Sequence, residues 1–210
     1  MTEEEKIQNV LKAIQKDNNG ETIDFVVPGY ATKKIITYQS MTADLIHCRK
    51  SMIELLNDEY NDTINICLFH TIVILYGKCF TDATGSKSPK LELSDFQNGN
   101  ENLLPFHEEI MDLRHNLVAH RGLTEHDFGF AYLSLGVIDL KRRVIVKQLR
   151  RKTFKKERMN DYLKLIDFLI QLVEEKFHKS AVKVWSHLLD KLTDEEFAQL
   201  KIAGPTFAKE

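Results

Sequence analysis

Apolar residues recur along most of this chain with the period of an α-helix, and over one short stretch with the period of a strand. Residues 3–16 place Ile7, Val10, Leu11 and Ile14 at spacings of three, one and three, which gathers them on one face of a first helix. KDNNG at 16–20 ends that helix, because Asn and Gly accept the left-handed backbone of a helix terminus. IDFVVPGY then reads as a short extended piece closed by the Pro28-Gly29 turn. From Thr32 to about Asn57, the positions Ile35, Ile36, Leu45, Ile46, Met52, Ile53, Leu55 and Leu56 predict one long helix with no Pro or Gly inside it. A third helix is predicted from about Thr63 to Phe80. Its apolar residues reach nearly all the way round, which places it at the centre of a bundle.

TDATGSKSPKLELSDFQNGN, residues 81–100, is the longest predicted loop, and a loop of that length in a compact domain is usually functional or mobile. A fourth helix is expected from about Glu101 to His120, with Pro105 in its first turn and Gly122 closing it. The period then changes. In FAYLSLGVIDLKRRVIVKQLRRKTF, Tyr132, Ser134 and Gly136 alternate with Leu133, Leu135 and Val137, which predicts a β-hairpin turning near Asp139 to Arg142. A long helix follows from about Lys156 to Leu189. TDEEF at 193–197, with Thr193 as N-cap and Glu196 three residues on, is a capping box opening a short last helix. The expected architecture is mainly α: a helical bundle with an inserted β-hairpin, in one domain over 1–210. Its parts are N-terminal helices (1–60), motif-bearing helices (61–122), the hairpin (129–154) and C-terminal helices (156–205).

Composition narrows the class without naming a function. Hydrophobic residues are 43% and charged residues 29% of the 210, enough to bury a real core. Cys48, Cys67 and Cys79 form no CxxC pair and lie in apolar helical patterns. They read as buried free thiols of a reducing compartment. The polar, acidic start MTEEEKIQNV is not that of a signal peptide. The most apolar run, 66–77, is about half of what a membrane span needs. A cytoplasmic protein with no membrane partner is expected.

The net charge of −2 hides a segregation. KRRVIVKQLRRKTFKKER (141–158) holds ten basic residues and one acid, net +9, so the remaining chain carries −11. Lys141, Arg142, Arg143, Lys147, Arg150, Arg151 and Lys152 make a strip that an RNA backbone would follow. The plain alternative is a set of solvated strand edges that discourage sheet pairing, with Val144, Val146 and Leu149 as strand packing.

DLRHNLVAHRG (112–122) concentrates the candidate chemistry. On an α-helix Asn116 and His120 share a face, and Arg114 sits about 120° around the axis from His120, within reach of a common phosphate through its long stem. Arg121 returns to the face of Arg114. A histidine that titrates near neutrality takes and returns protons, and an arginine grips phosphate oxygens bidentately. RNA brings its own nucleophile, the 2′-hydroxyl, so these groups suffice without a metal or other cofactor. The competing interpretation is a solvated helix end whose basic residues complement the helix dipole. Four histidines fall between 107 and 126, but no two lie four apart on one face and no HExxH is present, so no metal site is expected. His107 and His126 read as surface groups near the site, and His70 as a hydrogen-bonded core histidine.

Arg114-His115-Asn116-Leu117-Val118-Ala119-His120 resembles the signature of HEPN (higher eukaryotes and prokaryotes nucleotide-binding) domains, an arginine followed after four to six residues by a histidine. The form with an alanine before the histidine is similar to a prokaryotic branch tied to phage defence and toxin–antitoxin systems. LYGKCF, the long loop, PFHEEIMDLR and the hairpin resemble the same branch over roughly residues 60–190. The resemblance implies a helical bundle that dimerises through the motif helix, so that each composite site draws on two chains. It implies a metal-independent endoribonuclease in which His120 is the acid/base, Arg114 the phosphate clamp, Asn116 a positioning group and His115 a second proton carrier. It also implies an antitoxin or regulatory protein as a partner. Family members without activity serve as modules that bind RNA, a nucleotide or a protein, and two histidines within the motif keep that alternative open.

Overall fold

The computed structural model describes residues 25–26, 29–57, 60–82, 88–97, 99–118, 127–135, 142–150, 153–189 and 206–207, with Thr2, Glu5, Asn9, Lys12, Thr193 and Glu195 besides. The protein is mainly helical, with a small two-stranded antiparallel hairpin. In chain order the elements are β1 (Phe25–Val26), α1 (Gly29–Glu54), α2 (Asp62–Cys79), α3 (Leu104–Asp112), β2 (Asp127–Leu135), β3 (Arg142–Arg150), α4 (Met159–Leu189) and β4 (Thr206–Phe207). The chain divides into two compact units, one made of residues 1–39 and 174–210, the other of residues 40–173.

The larger unit holds most of the core. On α1, Met41, Leu45, Cys48 and Met52, with Leu55 just past its end, are buried, at alternating spacings of four and three that keep one stripe inward. On α4, Met159, Tyr162, Leu165, Ile166, Leu169 and Val173 do the same. α2 opens on Asn61, whose side chain accepts from the Ile64 backbone N–H, satisfying one of the donors a helix start leaves unpaired. It buries Phe69, Ile72, Val73, Tyr76 and Cys79, yet Ile64 and Ile74 are exposed. The helix therefore has a wet side, and its even distribution of apolar residues overstated its burial.

Partly exposed ion pairs tie these helices at their margins. Arg49 Nε meets Asp167 Oδ1 at 2.6 Å between α1 and α4, and Lys78 Nζ meets Asp44 Oδ2 at 2.7 Å between α2 and α1. Arg158 Nη1 reaches Glu109 Oε2 at 2.6 Å while its guanidinium carbon lies 4.6 Å from the Phe106 ring centroid.

The segment expected to be a loop is in part core. Leu91 and Phe96 are fully buried, and the Leu91 N–H donates to the Cys79 carbonyl at 2.9 Å. Leu93–Phe96 forms a 3₁₀ turn closed by a reciprocal Glu92/Asp95 capping box. Gly99 follows at φ +97°, a left-handed conformation that side-chain-bearing residues resist.

In the smaller unit, β1 pairs in parallel with β4, Phe25 opposite Thr206 and Val26 opposite Phe207. Thr2 and Glu5 exchange hydrogen bonds, the Glu5 N–H to Thr2 Oγ1 and the Thr2 N–H to the Glu5 carboxylate. Glu5, Asn9 and Lys12 are helical and exposed, as the polar face of the expected first helix requires. Its apolar positions Ile7, Val10, Leu11 and Ile14 lie outside the described residues, as does Glu196 of the expected capping box.

Candidate functional site

The motif begins where α3 ends. A 3₁₀ turn, Glu101–Leu103, leads into α3, which has Pro105 in its first turn, and α3 passes directly into a π-helical segment, Leu113–Val118. The expected α-helix from 101 to about 120 is thus three kinds of helix in series. The angular relations drawn for 3.6 residues per turn do not hold across 113–118, because a π-helix takes more residues for each turn. Short π segments inside α-helices are frequent at functional sites. His120, Arg121 and Gly122 lie outside the described residues.

Within the π segment Leu113 is fully buried, Arg114 half-buried, and His115 and Asn116 exposed. The stem of Arg114 runs across α2 at Gly77. A Cβ placed on that glycine would lie 2.5 Å from Arg114 Nε and closer still to its Cδ. Glycine inside a helix costs about 1 kcal/mol relative to alanine, and here its bare backbone is the surface on which the arginine rests. Gly77-Lys78 lacks the GxxxxGK[ST] spacing of a P-loop, and no periodicity signals that a side chain 37 positions later crosses this glycine.

The Arg114 guanidinium has no ion pair or hydrogen bond among the described residues. Asn116 Nδ2 donates to Asp112 Oδ1, four residues earlier. That bond anchors the amide nitrogen of an otherwise exposed side chain. Arg114, His115 and Asn116 are therefore brought onto one short segment, one cation laid on a neighbouring helix and the other two groups in solvent.

His107 is not a surface group of this site. It is 5% exposed and enclosed by three rings, with centroids of Phe80 at 4.4 Å, Phe96 at 5.0 Å and Tyr76 at 5.8 Å. Burial lowers its pKa to about 4. Tyr76 Oη lies 2.7 Å from its Nδ1, and burial drives the tyrosine pKa well above its ordinary value. A phenol that keeps its proton and a neutral imidazole pair naturally, the hydroxyl donating to Nδ1. The burial of His107 departs from the surface position expected because the helical face it occupies is decided by α2 and the 91–96 segment, neither of which its own neighbours in sequence reveal. His126 lies outside the described residues, and His70 is half-buried beside Phe69.

Among the cysteines, Cys48 and Cys79 are buried free thiols and Cys67 is an exposed one, since it falls on the wet side of α2. Burial, then the neighbouring Cys79 and Asp44, raise the pKa of Cys48. Burial, then Asp44, push that of Cys79 up to about 12. No group of three or more potential metal ligands occurs among the described residues, and no described helix is long and apolar enough to cross a membrane.

The basic strip lies on the hairpin. β2 and β3 pair antiparallel from Asp127 opposite Arg150 to Leu135 opposite Arg142, with 136–141 between them. Arg142, Arg143 and Lys147 are exposed on β3, and Arg150 ends the strand. Lys141, Arg151 and Lys152 lie outside the described residues. Val144 and Val146 are 70% and 67% exposed, so these two positions expected to pack are open to solvent; the Leu149 side chain lies outside the described ones. A two-residue alternation marks a strand whether or not anything covers it.

Comparison with protein-family models, with curated proteins and with solved structures finds no match to any of them.

Proposed function

We propose that this protein is a metal-independent endoribonuclease of the HEPN type, working as a homodimer in which motif segments from two copies complete each site. The observation that carries this reading is Arg114: a half-buried arginine whose Cδ and Nε lie against Gly77, with no anionic partner among the described residues, within a motif that resembles the HEPN signature. A partly buried cation with no counter-ion among the described residues is suited to bind phosphate. The segregation of net +9 into 141–158 supports a polyanionic ligand.

In the proposed reaction His120 accepts the proton of the 2′-hydroxyl, whose oxygen attacks the adjacent phosphorus. Arg114 neutralises charge on the phosphoryl oxygens as they become more negative. The 5′-oxygen leaves and is protonated, by His115 or by the now protonated His120. The products are a 2′,3′-cyclic phosphate and a 5′-hydroxyl. Asn116, its amide anchored by Asp112, holds the scissile phosphate in register. Arg121 adds a second cation beyond the motif. Such an activity requires restraint in a cell, which a partner protein of the antitoxin kind would supply, and suits a role in phage defence.

The test is incubation of labelled single-stranded RNA with the protein in EDTA, beside His120→Ala. Cleavage by the wild type alone, slowed about 10²–10⁴-fold in the variant and ending in cyclic phosphate, is expected. Cleavage abolished by EDTA, or equal in both proteins, overturns the mechanism. The second reading, a HEPN-like module that binds without cutting, is favoured by the two histidines within the motif. It predicts equal RNA affinity and no turnover in both proteins.

A further inference from the structure

The hairpin carries more than charge. Phe130 and Tyr132 are two apart on β2 and so share a face of the sheet. They are 49% and 41% exposed, with ring centroids 6.0 Å apart and planes inclined by 33°. The register places Lys147 directly opposite Phe130, Ile145 opposite Tyr132, and Arg143 opposite Ser134. Residues directly opposite each other point to the same side. One face thus presents a pair of aromatic rings with a cation abreast of the first and another one step beyond the second. The other face presents Ala131, Leu133, Val144 and Val146, with Leu135 and the cation Arg142 beyond them, all exposed and none aromatic.

We infer that the Phe130–Tyr132 face of the hairpin is a platform for single-stranded RNA, on which unpaired bases stack while Lys147 and Arg143 hold the flanking phosphates. This deepens the ribonuclease reading and rests on it for the choice of RNA over DNA. Exposed aromatics among cations favour single strands on physical grounds. In a duplex the base faces are already stacked, and only the charge would remain to bind. Lysine or arginine alone would not discriminate in this way, because phosphates are present in both forms. The inclined planes suit two successive bases with one ring each.

The test uses fluorescein-labelled 2′-O-methyl RNA of about a dozen nucleotides, which lacks the nucleophile and stays intact, single-stranded or annealed to its complement. Fluorescence anisotropy is expected to show tighter binding of the single strand. A Phe130→Val/Tyr132→Val protein keeps residues suited to a strand and is expected to bind the single strand at least about tenfold more weakly, given what one base–aromatic stack contributes. Lys147→Gln is expected to weaken single strand and duplex alike and to lower the salt slope by about 1. Leu133→Thr, on the opposite face, is expected to change nothing. Equal binding by the double variant and the wild type, or of duplex and single strand, overturns the platform. Photocrosslinking of wild-type protein to 4-thiouridine RNA needs no variant: adducts on residues 128–135 support the platform, and adducts confined to other segments overturn it. Cleavage that persists while binding ignores both rings sinks the platform alone. Binding that depends on the rings without any cleavage sinks the nuclease reading alone.

Discussion

Arg114 lies across Gly77, its Cδ and Nε occupying the space where any larger residue on α2 would place its Cβ. The pairing joins a glycine in the middle of one helix to the candidate phosphate clamp on another segment. It accounts for a residue that local helix propensity disfavours.

Gly77→Ala separates stability from function. In an open helix this change stabilises by up to about 1 kcal/mol. Here the methyl group meets a flexible side chain rather than backbone, so the arginine moves and the helix stays. Urea unfolding is expected to show a midpoint equal to the wild type or higher. RNA cleavage is expected to fall by about 10², the scale of a clamp displaced by an ångström. Wild-type cleavage with normal stability would remove Arg114's seat from the mechanism.

His107 makes stability pH-dependent. Its pKa is about 4 in the folded protein against about 6.5 in an unfolded chain, so the unfolded state binds the extra proton first. The stability is fully present above about pH 6.5, is lost as pH falls toward 4, and loses nothing further from this group below that. The difference in pKa corresponds to at most about 3 kcal/mol. His107→Gln, which can still accept from Tyr76, should flatten the curve of urea midpoint against pH between 6.5 and 4. An equally steep curve in the variant would assign the acid sensitivity to other groups.

Phe96 sits in a stretch whose composition is that of a surface loop, yet it is fully buried, stacked on Phe80 and tilted against Phe168. Phe96→Ala is expected to cost about 3–5 kcal/mol, as for a core phenylalanine. A change within about 0.5 kcal/mol, the scale of a surface position, would place it outside the core. Chemical denaturation decides between them.

Thiol labelling should report one fast cysteine and two slow ones. Cys67 is exposed, whereas Cys48 and Cys79 are buried with raised pKa values, and the thiolate is the reacting form. Ellman's reagent at pH 8 is expected to release one equivalent quickly and two more only after denaturation. Cys67→Ser should abolish the fast phase; a fast phase that survives would mean that the native core opens on the timescale of labelling.

The periodicity of apolar residues by itself determined the elements that do not depend on their neighbours. α1, α2, α4 and the hairpin fall within a few residues of where alternation and helical spacing place them, because a strand or helix must segregate its side chains by its own period. The charge segregation was equally legible, being a property of composition along the chain. Three features needed the tertiary structure. The face that α2 turns to solvent, and with it the exposure of Cys67 and Ile74, depends on which helices pack around it. The burial of His107 depends on Tyr76, Phe80 and Phe96 converging from two other segments. The seat of Arg114 depends on a glycine whose significance lies wholly in what crosses it. A residue's own neighbours in sequence set its local conformation, whereas burial and reach are set by residues far along the chain, and those decide whether a histidine is a core group or a polar group stands ready for a ligand.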